Sequence, residues 1–482
     1  MATIPRQAPL APGRGRRRAI LAICCLSLFL VGMDVTIVNV ALPSMRADLG
    51  ASVSELQWTI DAYTLVVGSL LMLSASIGDR LGRRRVFCVG IVVFTAGSLL
   101  CALAPSTGLL FAARVIQAIG GSMLNPIAMG IIRTTFTDPR ERARAIGVWG
   151  AVFGISLAVG PVLGGALTDG GDWRAIFWVN VPVGAVALAL TLRYVPESRA
   201  ARARRLDPVG QVLMIGWLAA LLFAIIEAPE AGWASLRTIA LFALGAVLIA
   251  LLVAHELRHD EPLLEVRAFR SVPFSGATLA AVCALLAMGG FLFLNSIYLQ
   301  DARGMSPLEA GLLTLPMAAT MMIVSPLSGR LVGRYGARPS VVVAGIAMLA
   351  GGAMLVGVSA TTPIPWLAGA YILIGAGHGL AQPPITQTAV SGLPPDQAGV
   401  AASIASTSRQ LGVSLGVAIV GSVAVSHARD PAAIATATHA GWWIIAGCGA
   451  VLAGLGLTAM GRPRGGRTVA EPIVLEGAPR PA

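Results

Sequence analysis

Long apolar runs, separated by short clusters of Arg, Asp, Gly and Pro, set the pattern of this chain. A run of about 20 apolar residues is the length of a helix that crosses a bilayer. Inside hydrocarbon every backbone polar group must find its partner within the helix. Fourteen stretches qualify, with approximate limits 19–42, 56–77, 86–104, 108–131, 145–167, 175–194, 208–227, 236–255, 274–298, 307–328, 339–358, 364–386, 400–425 and 440–460. Pro, Gln or Arg interrupts the runs at 307–328, 364–386 and 400–425. The pattern predicts an all-α polytopic membrane protein.

The stretch Trp149–Asp169 stands apart. It carries Gly154, Gly160, Pro161, Gly164 and Gly165 within one span. A Gly-Pro pair bends a helix, and small residues let a neighbour approach closely. Such a helix belongs at an interface inside a bundle, either as ordinary small-residue packing or as a moving joint.

Charge then fixes orientation. Of the 482 residues, 56% are hydrophobic and 12% charged, and all 35 basic residues are Arg. With the N-terminus inside, 28 of these arginines fall in inner segments and 5 (Arg46, Arg174, Arg237, Arg303, Arg429) in outer loops, leaving Arg114 and Arg409 within spans. That bias is the positive-inside rule, and it places both termini in the cytoplasm. Losing one span would invert every later loop, so the count of fourteen gains support. The net charge of +12 therefore reports topology and not nucleic-acid binding. Basic usage by Arg alone, with abundant Ala and Gly, fits a GC-rich bacterial genome and a bacterial plasma membrane. Arg14–Arg18 before an apolar run resembles a signal peptide, but Asp34, Asn39 and Pro43 follow with no small-residue cleavage site, so the first span is read as uncleaved. The six cysteines show neither metal nor disulfide spacing.

The chain repeats. Arg80, Gly82 and Arg84 match Arg334, Gly336 and Arg338 at an offset of 254, and the segments 120–126 and 377–383 match at 257. Two parallel six-helix halves are the arrangement of the major facilitator fold. The expected organisation is a cytoplasmic tail at 1–18, a six-helix bundle at 19–195, an inserted two-helix hairpin at 206–256, a second six-helix bundle at 271–460 and a cytoplasmic tail at 461–482.

Four motifs sharpen this: MDVTIVNVALP (33–43), GDRLGRRR (78–85), RVIQAIGGSMLNP (114–126), and GPVLGG (160–165) with GDWRAIFWVNVP (171–182). With these the chain resembles the fourteen-helix drug:proton antiporters of the major facilitator superfamily, the EmrB/QacA type, over about residues 15–460. It departs at Ala75, Ala118, Ser156 and Ala175, and Gly333 stands in the second copy where the first has Asp79. The resemblance implies a gating latch at Asp79, Arg80, Gly82, Arg83 and Arg84, for whose arginines a solvated inner loop is the competing reading. It implies proton coupling through Arg114. It also implies an antiporter signature at Gly160, Pro161, Gly164 and Gly165, which sugar importers lack.

Physical reasoning singles out the charged residues within spans. Asp34 lies mid-span, where an ionisable group is costly and faces a partner or a cavity. It is expected to carry protons or contact substrate; the alternative is permanent pairing with an Arg. Arg114 keeps its charge and must be paired or hydrated. Gln117, one turn on, shares its face. Asp61 is a third coupling candidate, placed toward the outer interface, where solvation competes with function. Asp79 is expected to favour a helix N-terminus. Tyr63 and Trp58 suit an aromatic belt better than a binding wall. Glu227 and Glu230 are expected in solvent. Asn39, Gln117, Asn125, Asn295, Gln382 and Arg409 are candidates to line the cavity; interhelical hydrogen bonding is the alternative for Asn125, Asn295 and Gln382, and an inner-loop position for Arg409. His378 reads as a packing residue.

No P-loop, zinc spacing or nucleophile elbow occurs, so no cofactor and no enzyme are expected. The expected function is proton-coupled export of amphipathic small molecules, cationic or polycyclic, by alternating access. The alternatives are a dedicated exporter of one natural product, a non-transporting sensor on the same fold, or an importer, which Gly160-Pro161 disfavours.

Overall fold

A computed structural model describes residues 13–200, 207–259, 264–391, 398–424 and 431–459; most of the two expected tails lies outside them. Among the described residues the regular structure is helical. In chain order the α-helices are α1 (Arg14–Leu49), α2 (Val53–Leu81), α3 (Arg83–Ala102), α4 (Thr107–Thr135) and α5 (Pro139–Asp169). Next come the short α6 (Ala175–Trp178), α7 (Asn180–Tyr194), α8 (Pro208–Ala231) and α9 (Leu236–Glu256). They continue with α10 (Val272–Ile297), the short α11 (Pro307–Leu313), α12 (Leu315–Tyr335), α13 (Ala337–Val356), α14 (Ile364–Ser391), α15 (Ala398–Ala424) and α16 (Pro431–Thr458).

Among the described residues thirteen stretches are long and apolar enough to cross a membrane, with α6–α7 forming one and α11–α12 another. α15 takes the place of the remaining expected span, with Arg409 and Gln410 in its first half. The helices outrun the apolar windows because local signals, not hydropathy, set their ends. Ser52 and Glu55 form a capping box at α2, Ser306 and Glu309 another at α11, and Asp138 caps α5 ahead of Pro139. The expected spans at 175–194 and 307–328 are each broken in two, at Val179 and at Thr314.

The repeat is visible in the backbone. Gly82 ends α2 at φ 116° and Gly336 ends α12 at φ 84°, one repeat apart. A side chain is strained at such angles, so glycine allows the abrupt reversal into α3 and into α13. Ser74 of α2 bonds Ser122 at 2.9 Å, and its repeat-mate Ser328 bonds Leu380 O at 2.8 Å. The two contacts join corresponding helix pairs, α2–α4 and α12–α14.

α1 packs closely on α5 and α4, and α3 on α4 and α7; α10 packs on α15 and α16, and α13 on α14 and α16. The α8–α9 hairpin sits outside these groups and rests on α2 and α15. Leu65, Met214, Leu218, Leu222 and Ala418 fill that contact, and Gln211 donates to Ser69 O at 2.7 Å.

Candidate functional site

The first site is a sealed polar cluster behind the α1–α4 contact. Asp34 and Arg114 are 0% and 1% exposed. Arg114 Nη1 donates to Asp34 Oδ2 at 2.6 Å and to Gln117 Oε1 at 2.7 Å, and its Nε donates to Thr59 O at 3.0 Å. Gln117 Nε2 donates to Asp34 Oδ1 at 2.8 Å. Asn180 of α7 donates to Ser98 at 3.0 Å and to Asp34 Oδ1 at 3.4 Å. The guanidinium carbon lies 4.2 Å from the centre of the Tyr63 ring. Two opposite charges removed from water need such hydrogen bonds around them, while Tyr63 Oη and Asn180 Oδ1 beside them have no partner. Tyr63 is therefore not a belt residue; it is fully buried beneath Arg114. Gln117 joins this cluster and does not line the cavity.

Asp61 differs from its expected interfacial setting. It is 0% exposed and faces α15. Thr64 lies 3.5 Å from its Oδ1 and bonds Ser414 of α15 at 2.5 Å, while Asp61 Oδ2 has no partner. It lies two turns into α2 with its side chain turned to α15, where two hydroxyl residues replace the water it was expected to meet.

Between the helix groups lies a cavity of about 1690 Å³. Its walls include Asn39 of α1, Asn125 of α4, Gln382 and His378 of α14 and Arg409 of α15. Its mouth lies at the Arg-rich ends of the helices, beside Asp79, Arg83 and Arg133. Asn295 does not reach it. Its carboxamide accepts from Tyr371 in a buried pair.

The opposite end is shut by contacts across the groups. Gln57 donates to Val417 O and Ala418 O, both at 3.0 Å, and Gln300 donates to Val40 O at 2.8 Å. Arg46 and Asp301 pair at 3.5 Å. The glycines of α5 make the closest approach. A Cβ at Gly160 would overlap Thr36 Oγ1, one at Gly164 would meet Ile37 at 2.8 Å, and one at Gly165 would overlap Pro307 O of α11. Gly311 of α11 faces Pro161 in the same way. The signature GPVLGG is thus a two-sided joint between α1 and α11.

At the α2–α3 turn, Asp79 Oδ1 accepts from Arg83 Nε at 2.9 Å and Nη2 at 2.7 Å. The helix N-terminus of α3 is held by Glu197 instead, which accepts from the backbone N–H of Arg84 at 3.1 Å and Arg85 at 3.3 Å. Asp79 ends α2, so its geometry favours Arg83 over the dipole role expected for it. Arg84 donates to Leu192 O at 2.6 Å, so this arginine is anchored and not merely solvated.

A family model described as the Major Facilitator Superfamily matches residues 24–417. The chain belongs to this superfamily. Multidrug resistance protein Stp of Mycobacterium tuberculosis is 40% identical over 399 residues, covering 83% of this chain and 74% of that protein. The tetracenomycin C resistance and export protein of Streptomyces glaucescens is 35% identical over 426 residues, covering 88% and 78%. Among solved structures, a bacterial homologue of the lysosomal transporter Spinster, inward-facing and unoccupied, has 17% identity and a TM-score of 0.63 over 93% of this chain and 98% of its own. A variant of the nucleoside transporter NupG has 13% identity and a TM-score of 0.65, covering 92% and 100%. Both show the shared fold.

Several polar residues of this major facilitator protein were invisible to motif reading. Glu197, Ser98 and Ser414 bond to partners far along the chain, and Asn180, though inside the 171–182 motif, was not singled out. Glu227 was expected in solvent but accepts from Ser54 at 3.3 Å and Trp58 at 3.4 Å, tying the hairpin to α2. Asp207 caps α8 through the Gly210 N–H at 2.9 Å and meets His255 at 2.9 Å. Burial raises its carboxyl, but these bonds outweigh burial and hold it below the usual carboxylate range.

Proposed function

We propose that this multi-pass membrane protein is a proton-driven exporter of amphipathic small molecules, antibiotics among them, and that it works in the plasma membrane of a bacterium. Its two halves, 19–195 and 271–460, rock about the cavity, and both termini lie in the cytoplasm. The cavity mouth then faces the cytoplasm, where an exporter loads. The relatives support the direction of transport, since several are named for multidrug or antibiotic resistance.

The observation that carries the coupling is the sealed pair of Asp34 and Arg114. A proton arriving on Asp34 would leave Arg114 charged and uncompensated in a buried site. Losing one member of a buried pair costs about 3–5 kcal/mol. That penalty drives α1 and α4 to rearrange. α1 bears on α5 through Thr36 and Ile37, and α5 bears on α11 through Pro161 and Gly165. Protonation at Asp34 is thereby linked to the contacts that shut the far end. Asp61, at the α2–α15 seam, is a second proton site in this reading. Asp79 and Arg83 latch the α2–α3 turn in the state with the mouth open, while Arg80, Gly82 and Arg84 shape and anchor that turn.

A bacterium stripped of its own pumps, expressing the wild type or Asp34→Asn, tests this on a panel of antibiotics, dyes and biocides with and without a protonophore. The expected result is resistance that vanishes with Asp34→Asn and with the protonophore. Resistance that survives both would overturn proton coupling. Resistance to one compound alone would favour a dedicated exporter, which relatives named for tetracenomycin C, methylenomycin A and puromycin also suit.

A further inference from the structure

Charge is unevenly distributed along the cavity. Among the described residues its charged lining consists of Asp79, Arg83, Arg133, Asp207, Glu265 and Arg409. The first five sit at or beyond the helix ends around the mouth. Asp79 is engaged by Arg83, and Asp207 by His255. Arg409 is different. It lies eleven residues into α15, about 16 Å along the helix at 1.5 Å per residue.

Its guanidinium touches only neutral oxygens, Thr386 Oγ1 at 3.4 Å and Ser406 Oγ at 3.2 Å, and no carboxylate among the described residues. An Arg keeps its charge, and a charge at membrane depth without a counterion marks a ligand path. A second observation points into the same space. His378, Gln382 and Thr386 recur every four residues along α14 and line the cavity. His378 is 2% exposed, and neither ring nitrogen has a hydrogen-bond partner. Asn125 Oδ1, on the facing α4, is also unpartnered. The remaining wall is largely apolar, with Met288, Leu292 and Met321, and its other polar groups, Gln410 and Ser325 among them, are neutral.

We propose that the α14–α15 wall, centred on Arg409, Gln382 and His378, recognises substrate and selects amphipathic molecules bearing an ionised oxygen, such as a phenolate, enolate or carboxylate, over organic cations. The inference rests on the exporter reading and narrows its substrate class, setting aside the cationic compounds of the sequence expectation. Arg409 supplies a fixed charge with several N–H donors, and Gln382 and Thr386 add further donors for the same oxygens. An organic cation at this depth meets Arg409 and no carboxylate to offset it.

Two xanthene dyes of opposite charge, fluorescein and rhodamine 6G, separate the alternatives on one scaffold. Fluorescence anisotropy with the purified full chain in detergent should show fluorescein binding at least about tenfold more tightly, a difference of about 1.4 kcal/mol. Arg409→Gln should remove that preference, Arg409→Lys should keep most of it, and Gln382→Ala should weaken it. Arg409→Glu should reverse it. Equal binding of the two dyes, tighter binding of rhodamine 6G, binding of neither, or an Arg409→Gln protein with unchanged preference would overturn the proposal. Fluorescein binding without protonophore-sensitive efflux from cells would leave the recognition surface standing and sink the exporter reading.

Discussion

The two halves place different chemistry at matching points. Applying the α4–α14 offset of 257, Arg114 corresponds to Tyr371. Arg114 reaches across to Asp34 on α1, and Tyr371 reaches across to Asn295 on α10. One half thus holds a buried ion pair where the other holds a neutral hydrogen bond. Both pairs join the same two helices of their half, so both can fix the packing of those helices. Only the charged pair can be altered by a single proton. In the proposed mechanism one copy serves as scaffold and the other responds to the proton. The inner turns diverge in the same direction: Asp79 grips Arg83 in the first, and Gly333 stands in its place in the second.

The largest expected effect tests that division directly. Asp34→Asn should abolish protonophore-sensitive efflux while the protein still reaches the membrane, and Asn295→Ala should leave proton-driven efflux in place. Equal loss from both, measured as dye efflux from energised cells, would erase the distinction. Stability should separate the halves next. Arg114→Ala strands a buried carboxylate, at a cost of about 3–5 kcal/mol. Asn295→Ala strands a tyrosine hydroxyl, at about 1–3 kcal/mol. Thermal unfolding of the purified proteins should show the larger drop for Arg114→Ala. Adding Asp34→Asn to Arg114→Ala should recover part of it.

The joint between the halves comes third. Gly165→Val forces a side chain into Pro307 and Leu308, and overpacking of this kind costs about 1–3 kcal/mol. Because it props open the far end, transport should fall further than stability does. The smallest effect concerns the hairpin. The folded Asp207 carboxyl sits below its usual range, so it stabilises above the unfolded value and loses that contribution as pH falls through the folded one. Asp207→Asn should lower the melting temperature at neutral pH by the equivalent of about 1 kcal/mol. The gap should close below about pH 4, the ordinary Asp range.

Much of this was legible in the sequence because a membrane leaves few options. Hydropathy marked the spans, and Asp34 and Arg114 were singled out as charged groups that a bilayer core does not leave unpartnered, whereas Gln117, expected at the cavity, joins their cluster. The GPVLGG stretch was rightly placed at an interface. What escaped was depth and direction. Asp61 follows a polar segment in sequence, so it read as interfacial, yet the face it presents turns toward Ser414 of α15. Asn295 and Gln382 are alike as polar residues within spans, and only helix rotation puts one against Tyr371 and the other in the cavity. Glu197 lies far along the chain from the turn it holds, so local patterning could not connect them.

The α8–α9 hairpin gives the molecule a covered side and a bare side. It lies against the α2–α15 seam, with Leu218 and Leu222 over Leu65 and Ala418. No comparable pair of helices roofs the seam of α5 and α12 among the described residues, where Phe153 and Met322 line the cavity and are themselves 40% and 46% exposed. The approach to the cavity is therefore two helix layers deep on one flank and one layer deep on the other.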